Sequence, residues 1–177
     1  ATFLAIEESE ARAGGSRDAR AWPAPLRDPR GAAVARFRAA NANAVDRHRF
    51  VQFELDRQLG LAAKDARRAG LAIGLYPDLA LGSQAGGFDA WVRPELFVSG
   101  VSVVAASYKN ATEGTDWGFA RLNPRRLADD DFAFVRALLR ASLRHAGALR
   151  IDHVLGFFRQ WWVPEGRPAA EGADVRS

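Results

Sequence analysis

An α/β fold, of the barrel or doubly wound kind, is what the sequence predicts from three observations. Apolar residues recur at helical spacing up to residue 69. An almost unbroken apolar run fills 71–81, and a second helix-then-strand pattern follows over 130–156. Helix, strand, long loop, helix, strand is the order that crossover helices and a parallel sheet require.

Each element has its own signal. Residues 1–31 are rich in Gly, Pro, Glu and Arg, and WPAPLRDPRG at 22–31 predicts a turn-rich lead-in or linker. Val51, Leu55, Leu59, Ala62, Ala66 and Ala69 then fall on one helical face, with Gly70 as the stop. Such a face predicts a helix that covers a core. LAIGLYPDLAL at 71–81 reads as a strand buried on both faces, because it lacks the alternation of a half-exposed one. Residues 82–127 carry turn residues throughout and no sustained period, which predicts a long functional loop. Phe132, Val135, Leu139 and Leu143 define a second helix over about 130–145, with acids at its start and Gly147 as its cap. ALRIDHVLG at 148–156 is the second strand, followed by the aromatic segment FFRQWWVPEG.

Composition narrows the function. The chain has 177 residues, 48% hydrophobic and 26% charged, enough to bury a core and outside the disordered classes. No apolar run approaches the ~20 residues of a membrane span. The chain holds no Met and opens on Ala1, which predicts a trimmed chain, and no signal-peptide pattern opens it. The absence of Cys excludes thiol catalysis and Cys-ligated metal. Lys and Arg total 25 against 21 acids, yet Lys64 and Lys109 are the two lysines and no block of like charge forms. Neither a basic patch nor an aromatic RNA-binding signature predicts nucleic-acid binding. His48, His145 and His153 are too scattered for a metal site, and GSQAGGFDA lacks the Lys-Ser/Thr of a phosphate loop. Neither metal nor nucleotide is expected as a cofactor.

The chemistry concentrates on the second strand. Alternation places Arg150 and Asp152 on one face and Ile151 on the other. A guanidinium beside a carboxylate favours its charged form, and a carboxylate at a strand's carboxyl end is where a barrel nucleophile sits. The same spacing also suits a structural ion pair. Phe157, Phe158, Trp161 and Trp162 suit either sugar stacking or a core.

ALRIDHVLGFFRQWWVPEG resembles the nucleophile strand of the 4-α-glucanotransferases, also called amylomaltases or disproportionating enzymes, glycoside hydrolase family 77. FVQFELDRQLGLAAKDARRAGLAIGLYPDLALG is similar to that family's helix and GLYxDLAVG strand. GGFDAWVRPELFVSGVSV is similar to its PELF loop, DWG with LNPRRL to its WG segment, and GRPAAEGADVRS to the piece after the tryptophans. The resemblance covers nearly all of 22–177. It implies part of a (β/α)8 barrel of the α-amylase clan over 32–177, with long inserted loops. It further implies a cytoplasmic transferase that moves α-1,4-glucan segments between maltooligosaccharides or to glucose by a retaining double displacement. That mechanism needs two carboxyl groups about 5–5.5 Å apart. By motif, Asp152 is the nucleophile and Arg150 its positioning partner. Asp78 and His153 match residues at the donor sugar, and Trp117 matches one that contacts the glucan.

Two departures stand out. The family's acid/base glutamate and transition-state aspartate belong to later strands, and Glu165 and Glu171 match neither. The resemblance therefore implies an internal portion of a longer enzyme, inactive alone. In the stretch 104–115, VAASYKNATEGT replaces the family's GAPPDxFxxxGQ pattern; Tyr108 stands for its aspartate and Thr115 for its glutamine. Two further readings remain: a non-catalytic glucan-binding module derived from such a barrel, which the altered stretch favours, and an α-amylase-clan hydrolase. Oligomeric state has no signal in the sequence.

Overall fold

The computed structural model describes residues 1–79, 82–105, 115–116, 119–152 and 154–176. Helices and strands are mixed along the chain, and its residues form two compact units, 1–77 with 140–150 and 78–139 with 151–177.

The first unit is helical. Helix α1 (Thr2–Arg12) is followed by two 3-10 turns, then α2 (Ala32–Ala40) and α3 (Ala42–Arg68). The turn-rich expectation for 1–31 missed α1, whose Phe3, Ala5 and Ile6 are buried as it packs on α3. Trp22 is fully buried, its ring centroid 5.0 Å from that of Phe3 and its indole N–H donating to the Ser16 carbonyl at 2.9 Å. The lead-in is thus folded back and anchored by an aromatic pair. Asp18 caps the first 3-10 turn, accepting from the Arg20 amide at 2.8 Å and its guanidinium at 2.6 Å.

Helix α3 ends where the sequence predicts. Gly70 takes a left-handed φ of +85°, and the Leu71 amide reaches back to the Ala66 carbonyl at 3.1 Å. Its burial departs from expectation, because Val45 and Ala63 are its buried residues, while Val51, Leu55 and Leu59 are 54%, 52% and 43% exposed. Helix α1 covers only part of α3, so the apolar stripe stays open.

Residues 71–77 lead into β1 (Asp78–Leu79). The expected strand buried on both faces is not found over 71–79: Leu71, Ile73 and Tyr76 are exposed, and among the described residues the strand is Asp78–Leu79. The segment still runs beside the second predicted strand. Within the first unit, the Gly147 amide donates to the Leu75 carbonyl at 2.9 Å, and the Arg150 amide to the Pro77 carbonyl at 3.0 Å. The residue numbers rise together, so the two segments are parallel.

Within 82–127, which the sequence reads as a long functional loop, the second unit holds short strands and helices. Its elements are β2 (Ser83–Gln84), α4 (Phe88–Val92), β3 (Phe97–Val98), β4 (Val101–Ala105), β5 (Thr115–Asp116), β6 (Phe119–Leu122) and α5 (Pro124–Asp129). Helix α6 (Ala133–Leu143) and β7 (Arg150–Ile151) realise the second helix and strand, both shorter than predicted. Strands β8 (Arg159–Pro164) and β9 (Ala173–Arg176) complete the order. Strands β2, β6 and β3 form one antiparallel sheet, and β5, β4, β8 and β9 another, with Ser102 opposite Val163 and Trp161 opposite Asp174. Leu79, Trp91, Leu96, Leu127 and Val163 are buried in this unit. Asn123 caps α5, accepting from the Arg125 and Arg126 amides, with Pro124 in its first turn.

Gly147 is needed for a reason other than capping. Its φ is not left-handed, but a Cβ there would overlap the Ile73 carbonyl oxygen. The parallel segments approach too closely for any side chain.

Candidate functional site

The parallel pair of segments positions the predicted carboxylates. Arg150 opens β7, and Asp152 occupies the turn that directly follows it; both side chains are exposed. Asp78 opens β1 and is exposed as well. Strands β1 and β7 are neighbours in a two-stranded sheet. Asp78 and Asp152 belong to the second unit; Asp78 opens β1 directly after Pro77, and Asp152 directly follows β7 at its carboxyl end. Barrel chemistry is built at that end of strands. Trp117 and His153, also expected in the site, lie outside the described residues, as do Tyr108 and most of the altered stretch. Thr115 opens β5, opposite Ala105.

The first unit braces the approach to β7. His145 Nε2 lies 2.8 Å from Asp56 Oδ1, and the Arg144 guanidinium is 3.1 Å from the same oxygen. A Cβ on Gly60 would stand 3.2 Å from the His145 ring, so α3 approaches closely there. In the second unit, Arg93 donates to Glu95 at 2.5 Å and to Asp130 at 3.0 Å, and these two acids, Glu95 first, hold its guanidinium in the charged form. Asp130 also accepts from the Phe134 amide at 3.2 Å, which fastens the start of α6.

The aromatic segment divides in two. Phe157 and Trp162 are half-buried, and the Trp162 indole N–H donates to Gln160 Oε1 at 3.2 Å. Phe158 and Trp161 are exposed, so a wholly buried aromatic cluster is not what forms. Glu165 and Glu171 are exposed, in a turn after β8 and in a short 3-10 turn before β9. Among the described residues, no group of three or more His, Cys, Asp or Glu could hold a metal ion, and no helix is long and apolar enough to cross a membrane.

A family model described as 4-alpha-glucanotransferase matches residues 1–177. The chain belongs to that family. The 4-alpha-glucanotransferase of Mycobacterium tuberculosis (strain H37Rv) is 44% identical over 155 residues, 88% of this chain and 21% of the relative. An amylomaltase structure from Corynebacterium glutamicum is 38% identical, covering 72% of this chain and 18% of that one, with a TM-score of 0.68. An amylomaltase from Streptococcus agalactiae, solved in complex with acarbose, matches the whole chain over 36% of its own length at TM-score 0.89. At 20% identity that last likeness concerns the fold alone. The chain therefore spans about a fifth of the length of the M. tuberculosis 4-alpha-glucanotransferase.

Proposed function

We propose that these residues carry the nucleophile of a retaining 4-α-glucanotransferase acting on α-1,4-glucans. The observation that supports this reading most is the exposed Arg150-Ile151-Asp152 step at the carboxyl end of a parallel segment, in a chain of this family. The Asp152 carboxylate attacks C1 of the donor sugar while the glycosidic bond breaks. The departing glucan oxygen takes a proton from an acid/base carboxyl. The 4-hydroxyl of an acceptor sugar then attacks C1, its proton passes to the acid/base, and Asp152 is released. Arg150 positions the carboxylate. Asp78 and His153 bind the donor sugar, and Trp117 contacts the glucan.

The surrounding architecture is a (β/α)8 barrel to which β1 and β7 contribute, and the setting is cytoplasmic. Neither metal nor nucleotide takes part. The acid/base carboxyl comes from outside these 177 residues, since neither Glu165 nor Glu171 matches it. By itself the chain then releases no glucose from maltotriose, and detectable release would place the acid/base within it. In the full-length protein, Asp152→Asn lowers glucose release at least about a thousandfold with the fold intact. Retained release would overturn the assignment.

A further inference from the structure

The open face of β8 and β9 has a composition the transfer chemistry does not use. Arg159 and Trp161 alternate onto one side of β8, and their register partners on β9 are Arg176 and Asp174. Paired residues of an antiparallel ladder point to the same face. All four side chains are exposed, Trp161 at 38%, and Arg159 reaches Asp174 at 4.0 Å. The indole is fixed along its edge. Its N–H donates to the Ala169 carbonyl at 2.8 Å. A Cβ on Gly172 would overlap the indole nitrogen and stand 2.7 Å from Cε2, so the turn before β9 closes against the nitrogen-bearing edge of the ring.

We propose that this face binds an α-glucan, with the Trp161 indole as a stacking platform and Asp174, Arg159 and Arg176 as hydrogen-bond partners for sugar hydroxyls. A pyranose has an apolar face of C–H groups and a polar rim of hydroxyls. An anchored aromatic face ringed by planar charged groups meets both demands. Holding the indole beforehand removes most of the ordering cost of binding. This inference rests on the α-glucan reading above and adds to it a surface formed by β8 and β9.

The probe is maltoheptaose. In the full-length protein, N-bromosuccinimide oxidises exposed indoles, and fragmentation of tryptic peptide 160–176 separates Trp161 from Trp162. Maltoheptaose slows oxidation of Trp161 several-fold, whereas an equal rate with and without it overturns the proposal. Trp161→Ala weakens maltoheptaose binding roughly tenfold, on the scale of losing one aromatic stacking partner, and Trp161→Phe retains most of it. Unchanged binding by a folded Trp161→Ala protein also overturns the proposal. Asp152→Asn separates the two readings: it abolishes transfer while keeping the Trp161 protection. Transfer surviving Asp152→Asn would sink the nucleophile assignment and leave this surface to stand or fall on the footprint.

Discussion

Asp152 sits where strand gives way to turn, and its side chain is exposed. Arg150 lies two residues before it, on β7, which ends at Ile151. If Arg150 positions that carboxylate, then Arg150→Ala lowers kcat about tenfold or more while KM for maltotriose changes little. A rise in KM at unchanged kcat would make Arg150 a binding group instead. Arg150→Lys recovers only part of the loss, because a point charge does not reproduce a planar fork. The strand that carries Arg150 was legible from the ALRIDHVLG run. The placement of Trp161 was not. Its residue type suited both core and surface, and the Ala169 carbonyl and Gly172 that fix it lie eight and eleven residues further on, across a turn.

At the scale of elements, Gly147 and Asp18 give the clearest tests. Gly147→Ala forces a methyl into the Ile73 carbonyl, destabilising the fold by about 1–3 kcal/mol in a urea titration. A change within a few tenths would mean that the segments separate freely. The Asp18 carboxyl lies below the ordinary aspartate range, chiefly through the side-chain hydrogen bond from Arg20. A carboxyl lowered in the folded state stabilises above its unfolded pKa and loses that contribution as pH falls through the folded one. Asp18→Asn therefore costs stability above about pH 4 and loses that effect in more acidic buffer. Exposure keeps the cost below about 1 kcal/mol. A penalty that persists at pH 2 would contradict this. The end of α3 was readable because Gly70 and the helical period agree. The strands within 82–127 were not, because two-residue strands such as β2, β3 and β5 carry no periodicity and take their register from their partners. Helix α1 was hidden by its Glu-rich surface, with only Phe3, Ala5 and Ile6 buried.

Across the whole chain, the apolar surface is the main departure from an ordinary domain. Phe50 and Phe53 are each 61% exposed on α3, with Leu71 at 55% and Ile73 at 59% beyond its end. Exposed apolar side chains such as the neighbouring Phe50 and Phe53 bind hydrophobic surfaces. The 177-residue chain then binds the dye ANS, and the pair Phe50→Ser with Phe53→Ser reduces the signal while leaving the circular dichroism unchanged. Equal dye binding by the variant would remove α3 as the source. The sequence predicted Leu71 and Ile73 to be buried, as it did the face of Val51, Leu55 and Leu59, since periodicity shows that a face is apolar and leaves open what covers it. Asp152 remains the centre of the account, and a covalent trap tests it most directly. With 5-fluoro-α-glucosyl fluoride, fluoride leaves without help from an acid, so the nucleophile is read separately from the acid/base. Peptide mass spectrometry of the treated protein should find the fluoroglucosyl group esterified to Asp152 within peptide 151–159. A label on another carboxylate, or turnover of the reagent with no label on Asp152, would contradict the account.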